Sequence, residues 1–212
     1  MYQRYFKRLL DIVFSLCGLI CLAPVFLLLT AWIRLDSPGP VFFKQKRCTK
    51  DAKVFDILKF RSMIVNAEAA GVTPSTKGDP RITRVGNIIR KLRIDELPQL
   101  INILIGQMSF VGPRPERVEH VEMYSKDVPE FKYRMKVKGG LTGYAQVYGK
   151  YNTTPYDKLR LDLLYIENQS LVLDIKLILL TIRTVFQPES TEGFEQTISD
   201  AMNERTSDKH VA

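Results

Sequence analysis

Residues 12–33 read IVFSLCGLICLAPVFLLLTAWI, a run without a charged side chain in which only Ser15, Gly18, Pro24 and Thr30 are not apolar. A straight helix of this length, at ~1.5 Å per residue, would be about 33 Å long and would match a hydrocarbon core of ~30 Å. Pro24 lies near the middle, where it removes a backbone donor and kinks or breaks a helix. The flanks are basic on both sides, with Arg4, Lys7 and Arg8 before the run and Arg34, Lys44, Lys46, Arg47 and Lys50 after it. A spanning helix is expected to carry its Lys and Arg mainly on one side. Symmetric flanks fit a helix–break–helix that enters and leaves by one face, while a kinked spanning helix stays open as the alternative. The run is long, interrupted by proline and without a small-x-small cleavage site, which argues against a signal peptide.

Around this segment the chain has 212 residues, 45% apolar and 25% charged, enough for one domain with an appendage. These proportions exclude a polytopic transporter and a wholly disordered chain. The net charge of +8 suits an anionic partner: nucleic acid, an anionic membrane surface or a phosphorylated substrate. Cys17, Cys21 and Cys48 form no disulfide framework and no zinc pattern. With only His120 and His210, histidine-dependent triads and HExxH sites are nearly excluded. Enzymatic chemistry, if present, would rest on carboxylates and metal-bound phosphates.

After the breaker Asp36-Ser-Pro-Gly-Pro40, residues 41–47 and 53–60 flank a polar turn and read as a β-hairpin. The alternation of the second arm puts Lys53, Phe55, Ile57 and Lys59 on one face. Residues 62–71 read as helix, residues 71–80 as a polar loop and residues 82–93 as a basic amphipathic helix. A further helix starts at Pro98, since proline suits a first turn. Residues 116–136 read as helix interrupted near Pro129, and residues 138–144 as a flexible loop. Residues 155–168 read as helix. The apolar residues 171–186 are short for a span, and fit an interfacial or a buried helix equally well. The expected fold is mostly α with a small β-hairpin, an α+β class. It divides into an N-terminal membrane helix (1–35), a body with amphipathic helices, interfacial or buried (36–187), and a polar tail (188–212).

The adjacent carboxylates Asp95 and Glu96 are the candidate chemical site. Such a pair can bind Mg²⁺, and a carboxylate can attack phosphorus. Arg90, Arg93 and Arg114 could offer guanidinium groups to phosphate oxygens. Each has a plainer reading as a surface charge. Neither a Walker A loop nor GxGxxG is present. A nucleic-acid binder would need a basic stripe interleaved with aromatics; here the cations cluster around carboxylates, so no nucleic-acid partner is expected.

Seven ordered blocks then resemble one family. They begin at Ser37, Lys59, Asp79, Arg93, Met108, Gly140 and Leu161, and include Arg93-Ile-Asp-Glu-Leu-Pro-Gln-Leu100, Met108-Ser-Phe-Val-Gly-Pro-Arg-Pro115 and Gly140-Leu-Thr-Gly-Tyr-Ala-Gln-Val147. Together they resemble the bacterial sugar transferases, the monotopic phosphoglycosyl transferases, in their short form. The resemblance implies transfer of a sugar-1-phosphate from a nucleoside diphosphate sugar, a UDP-sugar, to polyprenyl (undecaprenyl) phosphate, starting glycan assembly. It implies that Asp95 forms a covalent aspartyl phospho-sugar and that UMP leaves. Glu96 would assist through Mg²⁺ binding, shared with Asp95, or proton transfer.

Arg90, Arg114, Pro113, Pro115 and Lys150 would serve the phosphates and nucleotide. Asp162 and Asp174 match acidic positions of less certain role, with Asp174 able to complete the polar site. The membrane segment would be re-entrant, broken at Ala23-Pro24. The protein would sit among lipids of the bacterial inner membrane with its catalytic domain on the cytoplasmic face. A homodimer is left open, and a non-catalytic membrane-anchored scaffold of the same fold is the rival reading. Lys150 stands where relatives often carry Arg, Ala23 where Ser is frequent, and Gly139 where Pro is often found; the last should loosen its loop.

Overall fold

In the computed structural model the apolar run is two helices, α1 (Lys7–Cys21) and α2 (Ala23–Asp36), bent by 60°. The structure describes residues 2–67, 79–149 and 153–185. The break falls at Leu22, and Pro24 lies in the first turn of α2, where a missing N–H leaves no helical bond unmade. Among the described residues, no single helix is long and apolar enough to cross a membrane.

Strands β1 (Phe42–Cys48) and β2 (Val54–Phe60) form the expected antiparallel hairpin, with Phe42 opposite Phe60 and Cys48 opposite Val54. Asp51 and Ala52 turn the corner in the left-handed region. Phe55 and Ile57 point into a core with Leu100, Ile103 and Met108, while Phe60 joins Leu29, Ile33, Val41, Val85 and Ile89. The inner face of α2 is thus part of the body's core.

Helix α3 (Arg84–Lys91) starts at a Thr83 cap, whose hydroxyl accepts from the Gly86 N–H. Then follow α4 (Gln99–Leu104), β3 (Met108–Val111), α5 (Val118–Asp127), a tight helical segment Pro129–Lys136 and β4 (Gly139–Thr142). The chain closes with α6 (Tyr144–Tyr148), α7 (Pro155–Glu167) and α8 (Leu171–Val185). The mostly helical expectation with small sheets holds.

Two local expectations change. Residues 62–67 are not helical: Met63 bridges Ile82, the Ile64 N–H donates to the Arg81 carbonyl, and Asn66 is left-handed. Tertiary pairing there overrides local helix preference, and residues 68–71 lie outside the described set. Residues 139–142 are not a loosened loop but a buried strand, parallel to β3 with Met108 opposite Gly139. Gly139 donates its N–H to Thr49 Oγ1 at 3.1 Å, a bond proline could not make. A side chain at Gly140 would strike the Gly112 backbone, so glycine permits this close approach.

Helix α1 is fastened to the body by three of its polar side chains. Arg8 donates to the Ile103 and Leu104 carbonyls, each at 2.7 Å, and so satisfies the open C-terminal end of α4. Asp11 Oδ1 accepts from the Phe110 N–H at 3.0 Å and the Ser109 hydroxyl at 3.1 Å. Lys7 pairs with Asp174 of α8. Arg61 performs the same service for α2, donating to carbonyls of Ile33, Ser37 and Pro38. The outer faces stay apolar and exposed: Leu9, Phe14 and Ile20 on α1, Leu27, Leu28 and Leu35 on α2, Val172, Leu179 and Ile182 on α8.

Candidate active site

Three segments meet beside the C-terminal end of β2. The first is β2 itself, which supplies Lys59. Its outer edge is pinned to α4 by buried Asn102, which accepts from the Leu58 N–H at 3.0 Å and donates to the Asp56 carbonyl at 2.9 Å. The second is the turn between α3 and α4. Arg93 adopts a left-handed φ of 55°, unusual for a long side chain, and reverses the chain after α3. Ile94–Glu96 then forms a single tight helical turn. Residues three apart share a face in such a turn, so Ile94 and Leu97 both pack on the core of Leu29, Val85 and Ile89. Asp95 and Glu96 are left to face outward. The third segment follows β3 and presents Arg114 between Pro113 and Pro115.

Glu96 is held from both sides. Its Oε1 accepts from Lys59 Nζ at 2.6 Å and Arg114 Nη2 at 2.5 Å, and its Oε2 is 3.3 Å from Arg114 Nη1. Burial alone would raise its pKa, but the charges and hydrogen bonds of Arg114 and Lys59 outweigh burial and hold it far below the usual carboxylate range. The Glu96 charge in turn holds Arg114 firmly protonated against its own burial. Burial lowers Lys59, with Glu96 opposing that shift.

Asp95 differs from its neighbour. It makes no hydrogen bond or ion pair with the described residues. Burial pushes its pKa up, the Lys59 charge pulls it down, and the adjacent Glu96 pushes it up again. Arg90 and Arg114 also act on it through their charges. The site therefore holds one free carboxylate, one neutralised carboxylate and three cations. Such a site can accept a phosphorylated anion and offer it an oxygen nucleophile.

The other sequence candidates fall elsewhere. Asp162 is buried on α7 against Arg134, with Oδ2 at 2.7 Å from Nη2; burial raises its pKa and the Arg134 charge opposes that. Asp174 is buried on α8 and accepts from Tyr2, Lys7 and Tyr165. Both carboxylates are used as ties between elements, and neither joins the dyad. Arg90 lies at the end of α3 near Asp95. Lys150 lies outside the described residues.

Lys59 is the site residue that sequence reasoning passed over. Its signal was a lysine on the same strand face as Phe55 and Ile57, both of which are buried.

Among the described residues, no group of three or more His, Cys, Asp or Glu could hold a metal ion. Magnesium does not require one, since it takes one or two carboxylates and completes its shell with phosphate oxygens and water. Asp95, with both oxygens free, and Glu96 Oε2, with one long contact, fit that limited demand.

The profile of the bacterial sugar transferase family matches residues 2–188. The chain is 44% identical over 184 residues to a UDP-N-acetylgalactosamine-undecaprenyl-phosphate N-acetylgalactosaminephosphotransferase of Aeromonas hydrophila, covering 85% of this chain and 44% of that protein. It is 43% identical over 185 residues to a UDP-glucose:undecaprenyl-phosphate glucose-1-phosphate transferase of Escherichia coli (strain K12), covering 85% and 40%. It is 42% identical over 185 residues to the exopolysaccharide production protein PSS of Rhizobium leguminosarum bv. phaseoli, covering 83% and 92%. The chain thus spans about two fifths of the length of the first two relatives.

Proposed function

Because the chain belongs to the bacterial sugar transferase family, we propose that it moves a sugar-1-phosphate from a UDP-sugar to undecaprenyl phosphate, releasing UMP and beginning glycan assembly. The observation that carries this reading is the free Asp95 carboxylate set among Lys59, Arg90 and Arg114, beside a Glu96 already neutralised by two of them. The named donors and acceptor of the two UDP-sugar relatives supply the substrate classes.

In the first step an Asp95 oxygen attacks the β-phosphorus of the donor. The bond from that phosphorus to the bridging oxygen breaks, UMP departs with the electron pair, and an aspartyl phospho-sugar remains. In the second step a phosphate oxygen of the polyprenyl acceptor attacks the same phosphorus. The Asp95 oxygen leaves, and polyprenyl diphosphate-sugar is formed.

Arg114 and Arg90 bind the diphosphate oxygens and offset the charge that builds on them. Lys59 shares its charge between Glu96 and the phosphates. Arg114 and Lys59 hold Glu96 far below the usual carboxylate range, which makes it a weak base, so it serves to orient Lys59 and Arg114 rather than to take a proton. The acceptor phosphate needs little help in losing its proton, since a phosphate monoester has its second pKa near ~6. Magnesium, held by Asp95 and Glu96 together with the diphosphate, would supply further charge neutralisation.

The exposed apolar faces of α1, α2 and α8 are surfaces that a bilayer would cover. In this reading the bent pair is a re-entrant hairpin in the inner membrane. The dyad then lies at headgroup depth on the cytoplasmic face, where a soluble donor and a lipid acceptor can meet.

The test is UMP release by the purified protein in detergent with Mg²⁺ and undecaprenyl phosphate. The donor panel includes UDP-glucose and UDP-N-acetylgalactosamine. Release from one donor, lost in Asp95→Asn, is expected. A folded wild type that releases none from any UDP-sugar overturns the reading. Mass spectrometry of protein given donor alone should find the sugar phosphate on the peptide containing Asp95, and an unmodified peptide rules out the covalent step.

A further inference from the structure

Four consecutive carbonyls carry Arg114, and each is held by a donor from another part of the chain. Pro113 O accepts from the Gly140 N–H at 2.9 Å, and Glu116 O accepts from the Cys48 N–H at 2.9 Å. Between them, Arg114 O accepts from Arg134 Nη2 at 2.9 Å and Pro115 O from Arg47 Nη1 at 3.1 Å. The flanking prolines have fixed φ and no N–H, so the segment has little freedom of its own and cannot donate from Pro113 or Pro115 into a sheet.

Arg134 is the unusual member of this mount. Its side chain is 2% exposed. Nε and Nη2 both reach Asp162 Oδ2, at 2.8 and 2.7 Å, and Nη1 is 3.4 Å from Glu116 Oε1. Its guanidinium also lies over the Phe131 ring, 4.8 Å from the centroid. Glu116 is held in turn by Lys158 of α7. A backbone carbonyl is satisfied by any neutral donor. Burying a guanidinium and two carboxylates to hold one is costly, because desolvation often exceeds the attraction regained. Such a network gives instead a fixed direction: the planar fork of Arg134 reads Asp162 and the Arg114 carbonyl at once.

We propose that Arg134, oriented by Asp162, is a positioning residue for the reaction. It fixes the backbone of Arg114, so that the Arg114 fork meets Glu96 at rest and the donor diphosphate during transfer. This inference rests on the proposed transferase reading and adds to it a route from α7 to the phosphate site. Asp162 then acts on the phosphates through two arginines, without touching them.

The experiment combines a kinetic cycle with hydrogen exchange. Arg134→Lys keeps the charge and loses the fork. Asp162→Asn keeps the shape and loses the charge, and serves if Arg134→Lys does not fold. Each is measured alone and combined with Arg114→Lys. Misplacing a group by about 1 Å costs on the order of 100-fold, so either variant should lower kcat/KM by roughly that factor alone. In the Arg114→Lys background the further loss should be about 2-fold or less, since coupled residues are not additive. Exchange of the Gly140 and Cys48 amides, which donate to the Pro113 and Glu116 carbonyls on either side of Arg114, should rise in both variants. Equal losses in the two backgrounds, or unchanged exchange, overturn the proposal. An inactive wild type instead overturns the transferase reading, and the exchange result then tests the mount alone.

Discussion

Two arginine–carboxylate pairs lie within one short stretch of this fold, and they are built for opposite ends. Arg114 and Glu96 are 36% and 21% exposed in their side chains, while Arg134 and Asp162 are 2% and 1% exposed. The outer pair shares its carboxylate with Lys59 and lies beside a free Asp95, so its partners can be exchanged for a phosphate. The inner pair has no such freedom, because its exchange would leave a charge buried without a counter-ion. In the proposed reading similar chemistry serves as a recognition element at the rim and a structural fixture inside, and solvent access makes the difference.

The largest expected effect lies at the rim and is catalytic. Asp95→Asn should lower turnover more than about 1,000-fold, as losing a covalent nucleophile does, with the thermal unfolding midpoint near that of wild type. Substantial residual UMP release would assign the nucleophile elsewhere.

The next belongs to the inner pair. Asp162→Ala leaves buried Arg134 with the longer Glu116 contact as its counter-charge, and should cost about 3 kcal/mol of stability in denaturant titration. A loss below about 1 kcal/mol would mean that the inner arginine tolerates solvation, and the contrast between the pairs would fail.

A third prediction follows from Glu116. Burial opposes its ionisation, but Lys158 and Arg134 bring its pKa down from 4.5 to about 2. Its ion pairs therefore contribute in full above pH 4.5, and the contribution fades as the pH falls toward 2. The shift corresponds to roughly 3 kcal/mol. Stability measured between pH 5 and pH 2 should fall less steeply in Glu116→Gln than in wild type; parallel curves would refute the shift.

The smallest stability effect is expected for Glu96→Gln at the rim, below that of Asp162→Ala because solvent reaches both Glu96 and Arg114 and screens the charges left behind, while its loss of activity exceeds its loss of stability. A large drop in unfolding midpoint would make the outer pair structural after all.

Much of the site was legible in the amino-acid order. The adjacent carboxylates announce themselves, Pro98 marks the helix that follows them, and the two prolines around Arg114 mark a stiff mount. Lys59 was legible only as an oddity, a charge on the buried face of a strand. Arg134 gave no sign, because a basic residue in a mixed-charge stretch looks solvated. The partner of Asp162 was hidden for a related reason: an acidic residue in a helix carries no mark of which arginine it will meet.

Residues 62–67 and 139–142 were misread because their structure comes from distant partners, Arg81 and Ile82 for the first, β3 and Thr49 for the second. Local preference is silent about such pairings. Apolar runs, prolines and charge placement act over a few residues, so the sequence alone determined the broken apolar hairpin, the antiparallel strands, most helices and the dyad. The partnering of buried charges acts across the whole chain. Only the tertiary structure decided that Glu96 is neutralised while Asp95 stays free, because the counter-ions Lys59 and Arg114 come from segments distant in sequence and the packing aims them at one of two adjacent carboxylates.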